Sequence, residues 1–262
     1  VAGDDLGRVP AADGRHLAVR AVHHDADRGG LPAIERRLGR PIDVLFDDFG
    51  LGGLAVQANQ HLIVHAGHGA ILDPGGHKVY NRALKETLTL LAGGRLDTIF
   101  LSHQDPDVVA ALNGWLMATE ATAYASRLWL RFIPHFGLDS LVVERLVGLP
   151  DEGAMLDLGG CALMVLPAHF LHSEGNFQLY DPVSKILYSG DLGASLGQDY
   201  QEVTDFDAHV RYMEGFHRRH MSSRRVLQAW AAMVRQLSAD LYKRVTRYGT
   251  TGFVKSRFKS AP

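Results

Sequence analysis

Ser102-His103-Gln104-Asp105-Pro106-Asp107-Val108 stands between a short apolar run, Thr98-Ile99-Phe100-Leu101, and a segment of helical pattern from Val109 to Leu116. The run reads as a buried strand and the segment as a helix, so the stretch between them is a strand-to-helix turn. His103, Asp105 and Asp107 occupy alternate positions, and alternate residues of an extended segment point to one side. Imidazole and carboxylate groups converging on a small volume make a candidate metal site. A second reading explains the same residues. Asp105 before Pro106 is also a helix start, with the carboxylate capping free N–H groups and Pro at the first helical position, where no donor is lost. Taken alone, the stretch leaves both readings open.

Upstream of the turn, Ile42–Phe46, Leu54–Val64 and Gly69–Asp73 read as strands, with Phe49-Gly50-Leu51-Gly52-Gly53 as a connecting turn. These glycines match neither a dinucleotide fingerprint nor a Walker-type ending and are read as hairpin turns. Val79–Leu91 carries Ala83, Leu84, Leu88 and Leu91 at the spacing of an amphipathic helix, stopped at Gly93-Gly94. Downstream, Ala121–Ala125 reads as a strand. Ser126–Phe136 reads as a helix whose Trp129, Phe132 and Phe136 stripe is core, and Val142–Val147 reads as extended. Strands alternating with helices after an antiparallel start predict an α/β layered fold. Residues 1–41 mix Gly, Pro, Asp and Arg, with a short helical suggestion at Ile34–Leu38, and are assigned an extension without a role; residues 42–262 are expected to form one domain.

Composition narrows the function classes. At 262 residues, 46% apolar, 21% charged and a formal net charge of −2, the chain is an ordinary globular protein able to bury a core without staples. Its positive charge is dispersed apart from Arg218, Arg219, Arg224 and Arg225, which read as a solvated helix face, so no nucleic acid is expected. The one cysteine, Cys161, excludes an intrachain disulfide and a cysteine-rich metal cluster. No apolar run reaches membrane-spanning length and no signal peptide is recognisable, so the expectation is a cytoplasmic protein away from the membrane.

A second informative region begins at Cys161. Ala162–Leu166 reads as a strand, and Pro167-Ala168-His169-Phe170-Leu171-His172-Ser173-Glu174-Gly175-Asn176-Phe177 is a polar loop into Gln178-Leu179-Tyr180. A hairpin at Asp181-Pro182-Val183-Ser184 leads to Lys185–Ser189, which ends in Gly190-Asp191-Leu192-Gly193. A His just past one strand and an Asp at the end of another lie where α/β enzymes collect ligands.

Together, Ser-His-Gln-Asp-Pro-Asp, Pro-Ala-His-Phe-Leu-His-Ser and Ser-Gly-Asp-Leu-Gly resemble the metal-binding motifs of the metallo-β-lactamase superfamily, closest to flavodiiron proteins and single-domain oxygen-binding diiron proteins. The resemblance covers roughly Val44 to Gly252 and implies a single-domain αββα sandwich. His103, Asp105 and Asp107 match the family's first motif in order, with Asp105 in place of Glu; His172 matches the later His and Asp191 the bridging Asp. One iron site is then complete by residue type: His103, Asp105 and His172, with Asp191 able to bridge. The second retains Asp107 and Asp191. It has Val108 where the family often has a second His, and Tyr248 at the register of the last ligand. Tyr248 is either a phenolate ligand or a residue displaced by divergence of this end. His169 is either a substitute ligand or a packed loop residue. His217 and His220, at i and i+3 of a helix read over Phe206–Met221, are ligand or second-layer candidates or simply structural.

The resemblance implies iron, one or two ions, with zinc or manganese as alternatives that ligand type does not exclude. It implies O2 or NO as ligand. The sequence shows no stretch for a flavodoxin domain, so an external redox partner is the expectation; a homodimer is left open. Rival readings are a metallohydrolase of esters or phosphodiesters that activates metal-bound water, and a metal-poor interaction scaffold. The carboxylate Asp105, where hydrolytic relatives carry His, weighs toward iron.

Overall fold

A computed structural model describes residues 20–23, 60–184, 186–195, 203–221 and 223–237. Six strands form the first sheet in sequential order: β1 (Arg20–His23), β2 (His61–His65), β3 (His68–Leu72), β4 (Arg95–Phe100), β5 (Thr122–Ser126) and β6 (Leu146–Leu149). β2 and β3 are an antiparallel hairpin, and β3 through β6 run parallel. Four antiparallel strands form the second sheet: β7 (Ala154–Leu158), β8 (Cys161–Pro167), β9 (Phe177–Asp181) and β10 (Ile186–Tyr188). The helices are α1 (Tyr80–Leu91), α2 (Pro106–Val109), α3 (Leu112–Ala118), α4 (Phe206–His220) and α5 (Arg224–Leu237).

Strand alternation sorts these elements into four layers. Leu62, Val64, Ile71, Ile99 and Leu101 turn one way and bury against Ala83, Leu91, Leu112, Trp115 and Leu116 of α1 and α3. Their neighbours Ile63, Ala70, Leu72 and Phe100 turn the other way and meet Leu156, Leu158, Leu163, Val165 and Leu179 of the second sheet. The outer face of that sheet, Leu166 and Tyr180, packs on Trp230, Met233 and Val234 of α5. The result is the helix, sheet, sheet, helix sandwich the sequence pointed to. Each fully buried Leu, Ile or Phe contributes about 2 kcal/mol relative to exposure. Cys161 is buried between the sheets as a small apolar residue. Among the described residues, no helix is long and apolar enough to cross a membrane.

The structure departs from the sequence reading in several places. Arg20–His23, inside the segment given no role, is an edge strand parallel to β2. β7 was not anticipated, although Leu156 and Leu158 point inward and Met155 and Asp157 outward, because five residues between two turns carry too short a period to stand out. The single helix expected over Ser126–Phe136 is instead two 3-10 turns, Arg127–Trp129 and Ile133–Phe136. Pro134 offers no N–H and disfavours a helical residue before it, and Gly137 stops the chain with a left-handed φ of 87°. The aromatic stripe therefore splits: Trp129 packs on the helix-layer core, while Phe132 is 49% and Phe136 37% exposed. Val142–Val147 begins as a 3-10 turn, Val143–Arg145, and becomes extended only at Leu146. Ile34–Leu38, Ile42–Phe46 and Phe49–Gly53 lie outside the described residues.

Candidate metal centre

The parallel strand β4 ends at Phe100 and delivers Leu101, Ser102 and His103 to the rim of the first sheet. Backbone bonds hold the exit: Leu101 N–H donates to Tyr124 O at 2.9 Å, and Phe177 N–H donates to Ser102 O at 2.9 Å, which ties the β8–β9 loop to the same place. The chain bends at Ser102 and His103, is extended at Asp105 (φ −63°, ψ 147°) and becomes helical at Pro106. Asp105 thus occupies the capping position, yet its side chain makes no cap hydrogen bond. It accepts instead from His172 Nε2 at 3.0 Å. The helix start and the ligand geometry are compatible because Pro106 removes one donor and the Asp105 backbone carbonyl, not its carboxylate, takes part in the turn.

Four side chains from three loops meet here. His103, Asp105, His172 and Asp191 each offer one nitrogen or oxygen, and these atoms all lie within 4.8 Å of one another. His103 Nε2 is 3.6 Å from Asp105 Oδ2 and 3.9 Å from Asp191 Oδ2, and His172 Nε2 is 3.7 Å from Asp191 Oδ2. The two imidazoles meet edge to face with centroids 5.1 Å apart.

Two devices fix the imidazoles. Ser102 Oγ donates to Asp73 Oδ2 at 2.8 Å, so toward His103 Nδ1, also 2.8 Å away, it accepts. His103 therefore carries a proton on Nδ1 and directs Nε2 to the cluster as the atom that would take a metal, the orientation a ligand histidine needs. Ser102 N–H binds the other oxygen of Asp73 at 2.8 Å. His172 is held by backbone instead. It has φ 86° and Phe170 has φ 62°, a left-handed conformation that costs a non-glycine residue about 1 to 3 kcal/mol. Phe170 N–H to Ser173 O at 2.7 Å and Asn176 Nδ2 to Leu171 O at 2.7 Å supply the restraint.

Charge is concentrated accordingly. Burial works against a charge on His103, but Asp105, Asp191 and Asp73 outweigh it and hold the imidazole up at about 9. Burial likewise opposes the Asp105 charge, yet the two imidazoles hold that carboxyl far below the ordinary range. Asp191 is pushed up to about 6, chiefly by burial, and its Oδ1 is buried without a hydrogen-bond partner. Burial raises Asp73 as well, against the pull of His103 and Ser102.

The sequence candidates separate. Asp107 is close enough to feel the charges of His103, Asp105 and His172, and burial raises its carboxyl, but it stands outside the four-atom group. It follows Pro106 into α2, where successive side chains no longer alternate between two sides. Val108 is fully buried in the helix-layer core. His169 is drawn away: Nε2 donates to Asp151 O at 2.8 Å and its ring packs on Phe177. His217 has both nitrogens engaged, Nδ1 donating to Met213 O at 2.9 Å and Nε2 accepting from Gly193 N–H at 3.0 Å. His220 is exposed, with its ring 5.3 Å from that of His172. Tyr248 lies outside the described residues. Sequence reasoning passed over Asp73 and gave Ser102 no role; a Ser immediately before the motif His was the one available signal.

The residues suit a transition metal. Two neutral-capable imidazoles and two carboxylates on one small volume, one of them with an unpartnered buried oxygen, are the nitrogen and oxygen donor set of non-haem iron. A profile of the family described as ODP family beta lactamase matches residues 56–242. The chain belongs to the ODP family. Comparison with curated proteins finds no match. Among solved structures, one described as the peroxy diiron species of the chemotaxis sensor ODP is 41% identical, with TM-score 0.63, covering 71% of this chain and 77% of its own. The apo state of the chemotaxis sensor ODP from T. denticola is 42% identical, with TM-score 0.62, covering 68% and 73%. A flavo di-iron protein variant from Thermotoga maritima shares the fold at 15% identity and TM-score 0.59, covering 70% of this chain and 46% of its own. This places the ODP-family chain in the metallo-β-lactamase superfamily, with flavodiiron cores among its structural neighbours.

Proposed function

We propose that this ODP-family protein is a non-haem iron protein that binds O2, or NO, with His103, Asp105, His172 and Asp191 holding the first iron. The observation that carries the reading is the convergence of those four donor atoms within 4.8 Å in a chain 41% identical to a sensor described in a peroxy diiron state. Iron held there supplies a redox-active centre with open positions for a diatomic ligand.

The protein's own part is to orient and insulate. The Asp73 to Ser102 relay sets the His103 tautomer, the left-handed backbone at His172 aims the second imidazole, and burial keeps the Asp191 carboxylate poorly solvated. Asp191 faces both imidazoles of the first site with Oδ2 and makes no hydrogen bond through Oδ1, so one carboxylate oxygen would remain for a second ion, for which Asp107 and Tyr248 are the further donors. Because Val108 supplies no donor, the second ion is the weaker-bound of the two. Turnover as an oxidoreductase calls for an external electron donor, and reversible binding calls for none. A cytoplasmic, reducing setting completes the reading, consistent with one buried free cysteine.

The test is metal analysis of protein purified without added metal, with absorption spectra of the reduced form before and after exposure to dioxygen. Iron at one to two equivalents and a new band on exposure are expected; stoichiometric zinc with diesterase activity would sink the proposal in favour of a hydrolase.

A further inference from the structure

One helix touches both of the loops that bring ligands from the second half of the chain. On α4, Phe216 and His220 lay their rings against His172, at 5.8 and 5.3 Å, while His217 on the same helix accepts the Gly193 N–H at 3.0 Å. Gly193 closes the turn that carries Asp191: Leu192 N–H returns to Ser189 O, Ala194 N–H returns to Asp191 O, and Gly193 itself has φ 106°, which only glycine adopts without strain. After α4, Met221 forms a backbone bridge to Leu171, next to His172.

The Asp191 carboxylate depends on this turn. Its Oδ1 has no hydrogen-bond partner and its Oδ2 is 3.7 to 3.9 Å from the two imidazoles, beyond hydrogen-bonding distance, so no hydrogen bond of its own fixes the side chain and its position follows the turn, which Ser189 Oγ closes by donating to Leu192 O at 2.7 Å. One end of the turn is fixed from the second sheet, where Trp230 Nε1 donates to Gln178 Oε1 at 2.8 Å and Gln178 Nε2 donates to Ser189 O at 3.1 Å. The other end is fixed by His217. Its Nδ1 is committed as donor to Met213 O, which leaves Nε2 as an acceptor; an imidazole so engaged is a strut, not a ligand.

We propose that His217 is a positioning residue that holds the Asp191 turn in ligand geometry, and that α4 thereby joins the Asp191 and His172 loops into one unit. This rests on the iron reading above. Its consequence is that iron affinity depends on a hydrogen bond made two residues from the ligand by a side chain that never touches the metal. The effect belongs with those of other groups that orient ligands, a loss of about 10 to 100-fold in metal affinity when removed.

The test compares wild type, His217→Ala and His217→Gln by amide hydrogen exchange at Gly193 in metal-free protein and by Fe(II) titration. Gln carries both a donor and an acceptor, so it can restore what Ala removes. Expected is loss of Gly193 protection and at least about tenfold weaker Fe(II) binding in His217→Ala, with both recovered in His217→Gln, while β4 amides stay protected in all three. Unchanged Gly193 exchange, or unchanged Fe(II) affinity, in His217→Ala overturns the proposal. So does a His217→Gln protein that regains Gly193 protection but not affinity. If His217→Ala does not fold, His217→Asn takes its place and is judged by the same criteria, its shorter amide failing to span to Gly193. Absence of Fe(II) uptake by wild type overturns the iron reading alone, and the strut is then decided by Gly193 exchange.

Discussion

Two halves of one short turn meet different fates. In Ser102 to Asp105 the chain bends off the end of β4 and is not yet helical, the side chains of His103 and Asp105 reach the cluster, and a buried relay to Asp73 sets the tautomer of the histidine. In Pro106 to Val109 the backbone is helical, Asp107 lies beside the cluster without joining it, and Val108 disappears into the helix-layer core. The alternation that suggested three convergent ligands reaches Asp105 and fails at Asp107, where the chain is helical. Where the helix begins, sequence spacing stops reporting direction, and the proposed first iron site gathers four donors within 4.8 Å while Asp107, proposed for the second, stands outside that group.

Breaking the better half has the largest expected effect. His103→Ala removes a proposed ligand, and iron content after purification should fall by on the order of 100-fold or more, beyond the loss expected when an orienting group is removed. Retained iron at full stoichiometry would refute the assignment of His103. Ser102→Ala leaves the ligand and deletes the relay; Fe(II) affinity is expected to drop about 10 to 100-fold. The same substitution strips a donor from the buried Asp73 carboxylate, at a cost of about 1 to 3 kcal/mol in denaturant unfolding.

The weaker half gives smaller effects of a different kind. Val108→His restores the residue type the family often has, yet Val108 is wholly enclosed by apolar neighbours. The expected outcome is destabilisation of about 2 kcal/mol from burying an imidazole, with no gain in iron per chain. A rise in iron stoichiometry would show that the helix can turn to present this position and would dissolve the contrast between the two halves.

The smallest effect concerns pH. Burial lowers the pKa of His217 below its ordinary value of 6.5, and the neighbouring His220 adds to this, so the folded protein resists the proton that the unfolded chain accepts. The stability this group contributes is present above the unfolded value and is lost as pH falls below it. Metal-free wild type should therefore lose melting temperature between pH 7 and 5 more steeply than His217→Gln. Parallel profiles would remove His217 from the acid response.

Much of the scaffold was legible because it rests on local periods. The helix at Tyr80–Leu91, the strands around Ile99, Ala123, Leu163 and Leu187, and the turn at Asp105-Pro106 carry apolar spacing or proline chemistry that a few consecutive residues suffice to encode. β1, β7 and the split of Ser126–Phe136 were not, since four or five residues hold barely two periods and a proline overrides a helical pattern.

By itself the sequence determined the layered fold, the residue types at the candidate centre and, through its motifs, the superfamily. Tertiary structure alone decided which of them meet. His103, His172 and Asp191 come from three separate loops, and their distances depend on two sheets packing face to face and on a left-handed residue at His172. Asp73 became part of the centre because β3 and β4 are parallel neighbours that end together, and His217 became a strut because α4 crosses the Asp191 turn. Local sequence fixes the face a side chain takes within its own element; the direction of a loop, and the partner it finds, are set by contacts among elements far apart in the chain.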